Sequence, residues 1–333
     1  MKILVIRFSS IGDVVLTTPV LRAVKEQVPG AEIHFACKRK FSELLVHNPH
    51  VDRFFLFDES ITEILVLLVA QHYDVVIDLQ HSLRSARLKK ALKRRSYTFP
   101  KMNVRKWILV NFKKNLMPDM HVVDRYLMTT SRLGVKKDGK GLDVYLEPKA
   151  DDVLQRLPPS MQSGYIGLVI GAQHATKCLP EERLVELCRM LPYPIVLMGG
   201  TAEKERGARM VKVLGPHVHD TCGTLSLTES ATLVKHAKVL ITHDTGMMHV
   251  GAAFQKDMVV FWGNTVPAFG MYPYYGSKTT ARWMSAEVAD LSCRPCSKIG
   301  FDSCPKKHFR CMNDQQFEPV VDFVRDTWES RSR

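Results

Sequence analysis

The sequence predicts an α/β protein made of two doubly wound parallel-sheet domains in series. Its 333 residues suit two domains of about 150 residues each. In both halves short β-branched runs alternate with helical patterns, the order that builds a parallel sheet covered by helices. Three strand-to-helix junctions carry hydroxylic and charged residues beside a glycine or proline, at the sheet ends where such domains bind ligands.

In chain order, the first-half strands are expected at Ile3–Phe8, Glu32–Ala36, Phe54–Phe57 and Val75–Leu79, with helical periodicity over Val14–Gln27, Phe41–His47 and Ile61–His72. Two further helical patterns run near Val104–Leu116 and Val122–Leu133. The glycine- and lysine-rich stretch from Gly134 to Gly141 is the expected linker, and Leu142–Leu146 is expected to be extended. In the second half, strands are expected at Tyr165–Ile170, Ile195–Met198, Val239–Thr242 and Met258–Trp262. Helices are expected over Glu181–Leu191, Ala202–Leu214, Thr228–His236, Met247–Ala253 and the amphipathic Phe317–Trp328. The expected division is residues 1–163, residues 164–312, and a terminal segment 313–333 packing back on the first domain. A ligand is expected in the cleft between the domains.

The net charge of +13 is unevenly placed: +11 falls in residues 1–150 and +2 in the rest. Between Leu79 and Pro118 there are twelve Lys and Arg, Arg84 and Arg87 among them, and no acid. Such a surface suits an acidic partner: a phosphorylated glycan, anionic lipid headgroups or nucleic acid. No apolar run reaches the ~18 residues of a membrane span, and Lys2–Arg7 reads as a buried strand rather than a signal peptide. A cytoplasmic location follows as the expectation.

The first junction is Arg7-Phe8-Ser9-Ser10-Ile11-Gly12-Asp13. Gly12 permits a tight turn, and Asp13 reads two ways, as a helix cap or as a general base toward a hydroxyl. The loop lacks the G-x-G-x-x-G of dinucleotide enzymes. The second junction, Gly171 to Lys177 before Pro180, offers Lys177 to a phosphate, with donors around Thr176. The third, His243-Asp244-Thr245-Gly246-Met247-Met248-His249, opens an apolar helix whose free amides make an anion site. Asp244 and Thr245 line it, and His249 lies one turn in. Together they fit a nucleoside diphosphate. No Asp-x-Asp pair is present to hold a divalent cation, so fixed charge and helix dipoles would stabilise the leaving group.

At these junctions the chain resembles the heptosyltransferases of lipopolysaccharide core synthesis, the family-nine glycosyltransferases of GT-B fold with two Rossmann-like domains. The resemblance rests on Ser9-Ser10-Ile11-Gly12-Asp13, on Thr176-Lys177 with Pro180, and on Asp244-Thr245-Gly246 with His249. It implies inverting, metal-independent transfer of heptose from an ADP-activated donor to an anionic, lipid-linked core sugar. Asp13 matches the base, with Ser9, Ser10 and Gly12 lining the acceptor cleft, and Arg84 and Arg87 suit its phosphates. Thr176, Lys177, Thr245, Gly246 and His249 match donor phosphate contacts, and Glu203 stands where the family places an acid near the ribose. The implied setting is the cytoplasmic face of the inner membrane.

Cys293-x2-Cys296, then Cys304 and Cys311 with His308 between, is compatible with a structural zinc site or with free thiols; no catalytic metal and no cofactor are expected. Two other readings stay open. One is a GT-B transferase using a different nucleotide sugar. The other is a nucleic-acid-binding protein stacking bases on Tyr97, Phe99, Trp107 and Phe112, disfavoured because the donor loops would then have no purpose.

Overall fold

The structure, a computed structural model, describes residues 1–330. A first sheet holds β1 (Lys2–Ile6), β2 (Glu32–Lys38), β3 (Arg53–Phe57), β4 (Val75–Asp78) and β5 (Arg95–Thr98), in the order β3-β2-β1-β4-β5. A second holds β6 (Ile166–Val169), β7 (Ile195–Met198), β8 (Val218–Asp220), β9 (Val239–His243), β10 (Met258–Trp262) and β11 (Trp283–Glu287), in the order β11-β10-β9-β6-β7-β8. All pairings are parallel. The winding therefore reverses between β1 and β4 in one sheet and between β6 and β9 in the other. Ligands bind at such points in doubly wound folds. Strands β4, β6, β9 and β10 are buried along their whole length, which is why they read as mainly apolar runs, broken only by Asp78 closing β4 and Thr242-His243 closing β9, rather than alternating ones.

The helices are α1 (Ile11–Val15), α2 (Thr18–Gln27), α3 (Thr62–Val69), α4 (Leu83–Leu92), α5 (Asn103–Phe112), α6 (Val122–Leu127), α7 (Pro159–Gln162), α8 (Glu181–Met190), α9 (Lys204–Leu214), α10 (Leu227–His236), α11 (Gly246–Ala253), α12 (Arg310–Asn313) and α13 (Glu318–Ser330). The single helix expected over Val14–Gln27 is two. Thr17 and Thr18 turn their hydroxyls back onto the Val14 and Val15 carbonyls, and Pro19 has no N–H to continue the ladder. Phe41–His47 is not helical; a 3-10 turn at Arg39–Phe41 precedes irregular chain.

The chain forms two compact units, neither continuous in sequence. The first comprises Met1–Met102, Met120–Glu147 and Tyr274–Lys278; the second comprises Asn103–Asp119, Pro148–Pro273 and the described chain from Thr279. This differs from the expected boundary at 163/164. Residues after Pro148 join the second unit because Val153 and Leu157 are buried, the segment packs on α10, and Arg156 pairs with Glu229 at 2.7 Å. The terminal helix α13 also lies in the second unit. Its Val320 and Val324, with Phe317 just before it, share a core with Val239, Ile241, Val259 and Phe261, in place of the expected docking on the first domain.

The expected linker is a docked strap of the first unit. Ser277 N donates to Gly139 O at 2.7 Å, and a side-chain carbon at Gly276 would lie 2.8 Å from the Lys140 carbonyl oxygen, so glycine serves close backbone approach here. The strap is held by Arg22, 3 % exposed, which donates to Asp138 at 2.7 Å and to the Gly141 carbonyl at 2.7 Å and pairs with Asp143. Arg22→Ala strands both carboxylates and is expected to cost about 3–5 kcal/mol in urea denaturation. A loss below about 1 kcal/mol would mean the cluster behaves as a solvated surface pair.

Candidate active site

In the first unit the loop after β1 meets the loop after β4 at the reversal point. Arg7, almost wholly buried at the end of apolar β1, reaches across with Nη1 donating to Leu79 O at 2.5 Å and to Tyr126 Oη at 2.9 Å. Phe8 N donates to Gln80 Oε1 at 2.9 Å. Arg7 Nη2 lies 2.6 Å from Asp13 Oδ2, and the same oxygen accepts from Ser10 N at 3.1 Å and Ser10 Oγ at 3.0 Å. Both readings of Asp13 therefore meet in one atom: it caps α1 and it is an ionised carboxylate. Burial alone would raise its pKa, but Arg7 and the Ser10 donors outweigh burial and hold it below the ordinary 3.8. Its side chain remains 20 % exposed, enough to meet a hydroxyl.

Ser9 and Ser10 are half-buried beside it. Gly12 is buried within α1 with an ordinary helical backbone, so no left-handed turn requires it. Arg84 lies over the Phe8 ring at 5.8 Å, while Arg87 is exposed on the same helix, α4.

In the second unit the loop after β6 meets the loop after β9, again at the reversal point. Lys177 Nζ lies 2.7 Å from Asp244 Oδ2 and 3.2 Å from the Asp244 carbonyl oxygen; Thr265 Oγ1 adds a donor to Oδ2 at 2.8 Å. Thr245 caps α11 and Gly246 begins it, with Thr245 Oγ1 3.3 Å from Thr242 Oγ1. Asp244, Thr245 and Gly246 stay accessible, whereas His249 is buried in α11. His243 is buried and accepts from Leu179 N at 3.0 Å; burial first, then Arg206, push its pKa down to about 3, so it stays neutral. Arg206 ties both ends of the β6 loop by donating to the Ile170 and Leu179 carbonyls.

Glu203 accepts from Gly200 N at 2.8 Å, and its carboxylate fills the space a side chain at Gly171 would take, which places it against the β6 loop. Thr176 is buried. Its hydroxyl accepts from Phe301 N at 2.8 Å and donates to Phe301 O at 3.0 Å, latching the cysteine-rich segment to this loop. Arg294 fixes the same segment to the Gly263 and Thr265 carbonyls.

The zinc expectation finds no ligand set. Among the described residues no group of three or more His, Cys, Asp or Glu is placed to hold a metal ion. Cys311 is drawn into the core, where burial pushes its thiol up to about 12, and the Cys296 thiol donates to the Cys293 carbonyl.

The contacts of Gln80, Tyr126 and Thr265 were not foreseen, and Arg7 headed the first junction without an assigned role. Only Arg7 carried a signal in the sequence, as a lone cation closing an apolar strand.

Two sheets wound in this order within one chain follow the GT-B plan of sugar-nucleotide glycosyltransferases. The likeness extends along the chain: a family-9 glycosyl transferase from Veillonella parvula superposes with a TM-score of 0.77 at 21 % identity, covering 98 % of this chain and 96 % of that one. An Escherichia coli heptosyltransferase solved with ADP superposes with a TM-score of 0.68 at 22 % identity, over 98 % and 100 % of the two chains. The chain belongs to glycosyltransferase family 9 (heptosyltransferase), whose model matches residues 63–298. Lipopolysaccharide heptosyltransferase 1 of Campylobacter coli is 28 % identical over 289 residues, covering 80 % of this chain and 84 % of that relative.

Proposed function

We propose that this glycosyltransferase moves a heptose from ADP-heptose onto the inner core of lipopolysaccharide, with inversion and without a metal ion. The observation that carries the mechanism is Asp13, held ionised by Arg7 and Ser10. Asp13 takes the proton of the acceptor hydroxyl as its oxygen bonds to the anomeric carbon. The bond from that carbon to the diphosphate oxygen breaks, and its electron pair leaves with ADP. One displacement inverts the anomeric centre, and one base suffices because the diphosphate departs unprotonated. Lys177 and the amides opening α11 meet the developing charge. Glu203 is assigned to the ribose.

The acceptor assignment is supported by the name of the Campylobacter relative, and the nucleotide by the ADP of the Escherichia coli neighbour. The acceptor's lipid anchor places the work at the membrane surface; among the described residues no helix is long and apolar enough to cross a bilayer.

Calorimetric titration with ADP, UDP and GDP, with and without EDTA, tests the donor half. ADP should bind at least about tenfold tighter than the others, undiminished by EDTA. Preference for UDP or GDP would discard the ADP-sugar, and loss of ADP binding in EDTA would discard metal independence.

A further inference from the structure

We propose that the outward face of α5 docks onto a lipid surface rich in anionic headgroups. A helix at a protein surface ordinarily buries its apolar stripe and shows water its charges. Helix α5 does the reverse. Val104 and Phe112 are 72 % and 66 % exposed, Trp107 and, just past the helix, Leu116 are exposed too, and Trp107 and Phe112 meet edge to face at 5.4 Å. Two lysines meanwhile turn back onto the protein. Lys106 lies over the Phe269 ring at 5.9 Å, and Lys113 donates to the Pro295 carbonyl at 2.7 Å and the Cys293 carbonyl at 3.2 Å. With Leu109 buried, these contacts fix which side faces out.

Charge selects the occupant. Arg105 and Lys114 are exposed beside the apolar face, and no acid occurs from Leu79 to Pro118. Aromatic and aliphatic side chains flanked by cations match the boundary between acyl chains and anionic headgroups. The purpose of docking rests on the reading that the acceptor is lipid-anchored, but docking itself needs neither donor nor acceptor.

The experiment uses the full chain with phosphatidylglycerol or phosphatidylcholine vesicles. It should sediment with the former, less so as salt rises, and bind the latter at least about tenfold more weakly. Of the four tryptophans only Trp107 is exposed, so quenching by brominated acyl chains should largely disappear in Trp107→Phe. The double variant Trp107→Ala, Phe112→Ala should lose about tenfold or more in partitioning, with the ADP titration unchanged. Absence of vesicle binding by the parent, equal binding to both lipids, or undiminished binding by the double variant would overturn the proposal. So would a self-associating parent that the double variant renders monomeric, because the face would then belong to a second copy. A failed ADP titration with intact vesicle binding would count against the transferase reading alone.

Discussion

Asp13→Asn is expected to bind ADP as the parent does and to turn over about a hundred to ten thousand times more slowly, the range of a lost general base. Asparagine keeps the size of the side chain and an oxygen for Ser10, but it cannot accept a proton. Unchanged turnover would remove Asp13 from the chemistry and leave it a helix cap. The pH profile separates the roles further. Burial pulls the Asp13 pKa up, and the net position below 3.8 depends on Arg7 and Ser10. The acid limb of kcat/KM should therefore lie below that value in the parent. In Arg7→Gln the strongest opposing influence is gone, and the limb should move upward; a stationary limb would show that another group titrates. Stability follows the same sign. A carboxylate depressed on folding contributes fully above its unfolded pKa, and the contribution is lost as pH falls through the folded one.

Lys177→Ala should weaken ADP binding about tenfold to a hundredfold, the worth of a charged hydrogen bond to phosphate. The side chain is mostly buried against Asp244, so its loss removes a cation and also leaves a carboxylate held by Thr265 alone. That uncovered charge would face an incoming diphosphate. The double variant Lys177→Ala, Asp244→Asn should accordingly bind ADP better than Lys177→Ala alone, a non-additivity read by a double-mutant cycle. Unaltered affinity in Lys177→Ala would take the pair out of the phosphate site and leave it as a brace between two loops.

What could be read in advance follows from burial. The inner strands are largely buried, so their sequences are mostly apolar and stand out. The three unforeseen strands, β5, β8 and β11, are all sheet edges. An edge strand such as Arg95-Ser96-Tyr97-Thr98 is polar because a paired neighbour is missing on one side. Helix α4 was hidden by its charge, since only Leu88, Leu92 and Ser85 turn inward.

At the candidate site, the loops that carry Asp13, Lys177 and Asp244 were legible because each is a short local pattern at a strand end. The distant residues that brace these loops were not. Leu79 and Gln80 are more than seventy residues from Arg7 and Phe8, and no local spacing announces such a pairing. The latch at Thr176 was hidden for the same reason: its partner Phe301 lies 125 residues on.

The discontinuity of the two units bears on how the chain is made. The first unit is not complete until Tyr274–Lys278 arrive, with Tyr274 donating to Asp124 at 2.9 Å and Ser277 to the Gly139 carbonyl. A ribosome adding about 5–20 residues per second exposes the N-terminal sheet long before that segment emerges. The first sheet must wait, open at this seam, while most of the second unit is synthesised. Mutations in residues 274–278 should then show themselves as low yield and chaperone dependence before any defect in the finished enzyme.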